Sequence, residues 1–199
     1  MKEIKLIIGL ANPGSKYEKT RHNAGAWFVQ QLAHKYNATF QENSKLLGST
    51  TIINIGESQV KLFIPQTFMN NSGTAVNKIM EYYKLNQEYI LIAHDDLEIN
   101  VGKAKYKAEG GHGGHNGLRD IIGHLDGNNK FHRLRIGIGR PPSKEDVTNY
   151  VLAQPSAKEY DMIQATIVEA IAATETGYNK NIKLAVNQLH AFDALSEIK

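Results

Sequence analysis

The chain has 199 residues, 41% of them hydrophobic and 22% charged, with a formal net charge of +3. At about 100–200 residues per domain this allows one domain with one core, and no low-complexity or Gly/Ser/Pro-rich block divides it. The absence of cysteine excludes disulfides, a thiolate metal site and a cysteine nucleophile, and the apolar run in MKEIKLIIGLANPG is too short for a signal-peptide core or a membrane span, so the expected compartment is the cytoplasm.

In chain order, IKLIIGL (4–10) is a buried strand stopped by the turn residues Asn12, Pro13 and Gly14. From Ala24, the apolar residues Trp27, Phe28, Leu32 and Tyr36 recur at helical spacing, with Asn23 as the expected N-cap. TIINIGESQVKLFIP (51–65) reads as two strands around a short turn, and Val76, Ile79, Met80 and Tyr83 mark a helix over 72–83. YILIA (89–93) is the next buried strand, expected to end in the polar run HDDLE. KAKYK (103–107) and RLRIGIG (133–139) alternate as half-exposed strands, and Leu118, Ile121, Ile122 and Leu125 mark a helix between them. The last third is helical, opening on a Ser156/Glu159 capping box, stopping at Gly177 and ending in a helix through about Leu195. This interleaving predicts an α/β fold in a single domain, with a mixed, mostly parallel twisted sheet and helices on both faces. In such sheets ligands sit beyond the carboxyl ends of strands, where Asn12, Asp95 and Asn116 are expected.

The charge is uneven. Residues 102–144 hold nine Lys/Arg against three Asp/Glu, whereas residues 145–199 hold four against eight. A basic region of this kind suits an anionic partner such as nucleic acid, or else a solvated surface. Strand geometry puts Lys103, Lys105 and Lys107 on one face and Arg133 and Arg135 on one face of theirs; edge protection accounts for lysines, whereas guanidinium suits bidentate phosphate contact.

GLANPGSK (9–16) lacks the Gly-Lys-Ser/Thr order of a phosphate loop, and no dinucleotide fingerprint is present. His22 precedes a helix and Asp95 follows a strand; together a carboxylate and an imidazole make a general base, and apart they are a surface histidine and a turn residue. HDDLE (94–98) competes as a divalent-metal cluster, against which adjacent carboxylates on a continuing strand point to opposite faces. GGHGGHNG (110–117) places five glycines around two histidines and an asparagine, a composition that lets a ligand approach backbone, with Asn116 either a helix N-cap or a ligand contact.

GLANPGSKYEKTRHNAG, PQTFMNNSG, HDDLE, GGHGGHNGLRDII and FHRLRIGIGRP together resemble the bacterial peptidyl-tRNA hydrolase family, in its order and spacing and over nearly the whole chain. The resemblance implies one domain over residues 1–199, acting as a monomer without metal or cofactor, on the ester between a peptide and the 3′ ribose of tRNA. It implies His22 as catalytic base, Asp95 as the group holding its imidazole, and Asn12 as the residue that tells an N-blocked peptide from a free aminoacyl group. By the same resemblance Tyr17, Phe68, Asn70 and Asn116 line the substrate cleft with Met69 and His115 beside them, and Lys105, Lys107 and Arg135 meet the tRNA body and its terminal phosphate. The chain departs from the family at Glu109, usually glycine, Glu98, usually aspartate, and Ala24, usually a branched aliphatic. Two other readings stand beside it: a non-catalytic RNA-binding protein using the basic strips, and a metal-dependent phosphoesterase built on HDDLE.

Overall fold

The structure, a computed structural model, describes residues 1–141, 143 and 146–197; Lys144, counted in the basic middle, lies outside them. Seven strands, β1 (Leu6–Gly9), β2 (Gln41–Asn43), β3 (Gly48–Ile55), β4 (Ser58–Pro65), β5 (Ile90–Asp96), β6 (Ala104–Lys107) and β7 (His132–Gly137), form one sheet in the order β2-β3-β4-β1-β5-β7-β6. The four central strands β4, β1, β5 and β7 run parallel, while β3 and β2 on one edge and β6 on the other pair antiparallel. The expected α/β fold with a mixed sheet is thus present, its parallel part confined to the centre.

Helices cover both faces. Alternation along β1 sends Ile7 to a core shared with α1 (Ala24–Lys35), α5 (Ala157–Asn179) and α6 (Ile182–Ala191). Leu6 and Ile8 go to a second core under α2 (Ser72–Tyr83) and α3 (Asn116–His124). The short helices α4 (Val147–Val151) and α7 (Ala194–Glu197) complete the fold. α4 and β2 have no counterpart in the sequence reading, being too short to show a period.

Three local expectations are corrected. β5 does not end at Ala93, because the backbone of His94, Asp95 and Asp96 goes on pairing with Arg135, Ile136 and Gly137. Gly177 does not stop a helix: α5 runs past it to Asn179, and a methyl group there would lie 2.5 Å from Met1 Sδ and 3.3 Å from Ala185 Cβ, so Gly177 serves close packing. Asn23 stands at the N-cap position of α1, but its side chain bonds the backbone of Asn12 instead of capping. The Ser156/Glu159 capping box is formed as expected.

One packing contact sets the site. A Cβ on Gly25 would lie 2.2 Å from the Ala93 carbonyl oxygen, and one on Gly9 would lie 2.5 Å from the Gly25 oxygen. Only glycines let the first turn of α1 press onto β1 and β5 this closely, which brings His22, three residues before Gly25, to Asp95, two residues after Ala93.

Candidate active site

Asp95, at the carboxyl end of β5, is buried, and its Oδ1 accepts from two rings: His22 Nδ1 at 2.8 Å and His115 Nε2 at 3.0 Å. His22 comes from the 3-10 turn ahead of α1, and His115 from the turn ahead of α3. The partners fix the tautomers. His22 carries its proton on Nδ1, leaving Nε2 as a basic lone pair with no partner among the described residues; His115 carries its proton on Nε2, and its Nδ1 accepts the Leu118 amide at 3.3 Å. Burial alone would lower the His22 pKa, but the charge and hydrogen bond of Asp95 outweigh it and leave it raised. Burial would raise the Asp95 pKa, and its two imidazole partners hold it well below the usual carboxylate range instead.

His115, and not Asn116, is the N-cap of α3; Asn116 is the first residue of the helix, exposed, with its Oδ1 bound by Arg119 Nη1 at 3.0 Å. Asn12 is held from three sides. Its amide donates to Asn23 Oδ1 at 2.8 Å, its carbonyl accepts from Asn23 Nδ2 at 3.0 Å, and its Oδ1 accepts the Met69 amide at 2.8 Å. With the oxygen occupied, its Nδ2 is the end left to donate to a ligand.

A cleft of about 630 Å³ joins most of the expected residues: Asn12, His22, Met69, Asn70, Asp95, His115, Asn116, Lys107 and Arg135 all line it. Tyr17 and Phe68 are not in that lining; they meet edge to face, ring centres 6.2 Å apart, and Phe68 is exposed. Lys105 is exposed on β6, paired in register with Arg135, as Lys107 is with Arg133. The two basic strips therefore form one ladder, opposite the face on which Leu134 and Ile136 enter the core.

The cations differ in what they are free to do. Arg135 Nε bonds Asp96 Oδ2 at 2.7 Å, Arg140 bonds Glu98, and Lys103 pairs with Asp193 at 2.9 Å. Arg133 is 3% exposed, and its guanidinium donates to the carbonyls of Gly110 and Gly111. The expectation that Arg133 offers its fork to phosphate is corrected: both terminal nitrogens hold the glycine loop.

The carboxylates of HDDLE diverge, Asp95 to histidines and Asp96 and Glu98 to arginines, so they make no common metal site. Among the described residues the group with metal-ligand types is His22, Asp95 and His115, whose ligand atoms lie within 4.8 Å of one another. Donors about 2.1 Å from a tetrahedral zinc lie about 3.4 Å apart. At 2.8 and 3.0 Å the two contacts here are hydrogen bonds, with protons where a metal would need lone pairs.

His94 is a cleft residue that sequence reasoning missed. Its Nδ1 donates to the Asp95 carbonyl at 2.6 Å, and its Nε2 is buried without a partner. Burial, helped by His115, pushes its pKa down to about 3, so it stays neutral. A strand continued through HDDLE would have been the signal, because it aligns His94 with the face of Arg133 and Arg135.

The family model for peptidyl-tRNA hydrolase matches residues 6–197. The chain belongs to the peptidyl-tRNA hydrolase family. It is 50% identical over 194 residues to the peptidyl-tRNA hydrolase of Pectobacterium atrosepticum and 48% identical over 194 residues to that of Erwinia tasmaniensis, covering 98% of this chain and 100% of each relative. The crystal structure of peptidyl-tRNA hydrolase from Acinetobacter baumannii superposes with a TM-score of 0.92 at 45% identity, covering 98% of both chains.

Proposed function

We propose that this peptidyl-tRNA hydrolase cleaves the ester between the peptide and the 3′ ribose of tRNA with His22 as general base and Asp95 as its partner. The reading rests above all on the 2.8 Å contact between His22 Nδ1 and Asp95 Oδ1, which leaves Nε2 to take a proton from water. Hydroxide adds to the ester carbonyl as His22 becomes imidazolium, and the Asp95 carboxylate stabilises that cation. The C–O bond to the ribose then breaks, the ribose oxygen takes the proton held by His22, and the products are free tRNA and a peptide acid that loses its proton to water.

Asn12 Nδ2, with the amides of Asn70 and Asn116, donates to the developing oxyanion and the peptide carbonyls. The immobilised Asn12 also supports its role in telling an N-blocked peptide from a free amine. Met69 and His115 back this region, Tyr17 and Phe68 form an aromatic edge, and Lys105, Lys107 and Arg135 meet tRNA phosphates. All of these groups come from one chain, so the reading takes one domain working as a monomer, and no step in it calls on a metal or cofactor. Among the described residues no helix is long and apolar enough to cross a membrane, and a tRNA substrate fits a cytoplasmic site.

Incubation of the pure protein with N-acetyl-aminoacyl-tRNA tests the reading. Release of the N-acetyl amino acid, absent in His22→Ala, supports it; tight RNA binding without release supports a binding protein instead.

A further inference from the structure

The glycine loop holds a second set of donors that the hydrolysis does not use. Arg133 draws the carbonyls of Gly110 and Gly111 onto its guanidinium. In a trans peptide the following N–H points opposite to the carbonyl, and no cis bond occurs among the described residues. The amides of Gly111 and His112 therefore point away from Arg133, they have no acceptor among the described residues, and both residues line the cleft. A cation on the carbonyl side polarises both peptide units and makes their N–H groups stronger donors.

Charge points the same way. A buried charge needs a partner of opposite sign. Arg21 contacts Glu159, Arg135 contacts Asp96 and Arg140 contacts Glu98, whereas Arg133 has no direct ion pair among the described residues, feels Asp96 only through space while Arg135 holds that carboxylate, and stacks on Phe131 at 4.6 Å. Its pKa is pushed down to about 10, chiefly by burial and then by Arg135, which leaves it charged at neutral pH. Lys107 adds a second cation: a Cβ on Gly110 would lie 2.7 Å from its Nζ. The carboxylate nearest in sequence, Glu109, is exposed and not part of the cleft lining.

The glycines separate into two kinds. Gly110, Gly113 and Gly114 have φ of +140°, +57° and +86°, which side chains rarely adopt. Gly111 has no such φ, and nothing lies within 4 Å of a Cβ built on it. Nothing among the described residues requires glycine there.

We propose that the Gly111 and His112 amides, backed by Arg133 and flanked by Lys107, bind a phosphodiester of the RNA next to the terminal ribose. The ladder of Lys105 and Arg135 lies alongside and takes phosphates further from the ester. A neutral peptide leaves Arg133 and Arg135 sharing the single Asp96 carboxylate, and the carboxylate of a released peptide lies at the Asn12 and His22 end of the cleft. The inference rests on the hydrolase reading for the identity of its ligand, and the amide cradle itself stands on the loop geometry.

Amide NMR tests it, with inorganic phosphate, a dinucleoside monophosphate and N-acetylglycine as separate probes. The two phosphate probes are expected to move the Gly111 and His112 resonances saturably, and N-acetylglycine to leave them in place. Gly111→Ala, which meets no protein atom, should remove the His112 response and raise KM for N-acetyl-aminoacyl-tRNA about tenfold, the loss of one charge-assisted contact, with kcat unchanged. Arg133→Gln should remove the response, and Arg133→Lys restore part of it. An unchanged phosphate response and KM in Gly111→Ala, or a response to N-acetylglycine alone, overturns the proposal. Phosphate binding at the loop in a protein that releases no N-acetyl amino acid overturns the hydrolase mechanism and leaves the cradle standing.

Discussion

Asp95 Oδ1 lies 2.8 Å from His22 Nδ1, joining a strand end to a helix start 73 residues apart. The contact decides which His22 nitrogen is basic and how basic it is. In Asp95→Asn the charge that raises the His22 pKa is gone, and the lowering by burial remains. Activity needs the neutral imidazole and so rises with pH through that pKa. The acid limb of kcat/KM should lie above the ordinary histidine value of about 6.5 in the native protein and shift to lower pH in Asp95→Asn, with a smaller loss of rate than in His22→Ala. A pH–rate profile of each variant checks this.

Chelation should leave hydrolysis intact, because the only His/Asp group among the described residues with metal-ligand types is closed by its own hydrogen bonds. The measurement is the rate after exhaustive EDTA treatment; loss of rate restored by a divalent ion would place a metal in the His22, Asp95 and His115 cluster.

In the basic ladder, Lys105 and Arg135 should act through KM for full-length substrate and far less for a short acceptor-end substrate, whereas Lys107, beside the glycine loop, should raise KM on both. Lys105→Ala and Lys107→Ala are each expected to flatten the log–log salt dependence by about 0.7–0.9 for a full phosphate contact. Arg135→Ala should flatten it less, because Asp96 already neutralises that guanidinium at 2.7 Å. Kinetics of the three variants on both substrates over a salt series separate phosphate contacts from edge protection, which leaves KM unchanged.

His94 gives the fold an acid-sensitive element. Its native pKa of about 3 lies below the unfolded value of about 6.5, so the unfolded chain binds the extra proton between them. Native stability from this group is complete above about pH 6.5 and falls as pH drops toward 3, with a limiting slope of about 1.4 kcal/mol per pH unit. Denaturant melts from pH 7 to 4 should show His94→Gln losing less stability on acidification than the native protein.

The fold was largely legible because its signals are local. The period of Val76, Ile79, Met80 and Tyr83 sets α2, and the capping box at Ser156 and Glu159 sets the start of α5. Where a residue's role is decided by a distant partner, sequence reading fails. Asn23 looks like a helix cap until Asn12 is beside it, and Gly177 looks like a helix stop until Met1 packs on it. Arg133 and Arg135 look equivalent on their strand, and only the loop above one and Asp96 beside the other make them differ.

Gly25 links fold to site. Gly25→Ala puts a methyl 2.2 Å from the Ala93 oxygen, and such overpacking costs about 1–3 kcal/mol, or roughly 2–4 °C in Tm for each kcal/mol at this size. The shift of α1 that relieves it moves His22 away from Asp95, so a scanning melt should show the lower Tm, and the His22 pKa by NMR should fall toward the ordinary value.

Turnover of N-acetyl-aminoacyl-tRNA by His22→Ala tests the central claim most directly. With folding verified by its melt and tRNA affinity unchanged, we expect kcat to fall by about 10²–10⁴-fold, the range for loss of a general base. A folded His22→Ala protein that turns over within a few fold of the native rate would contradict the mechanism.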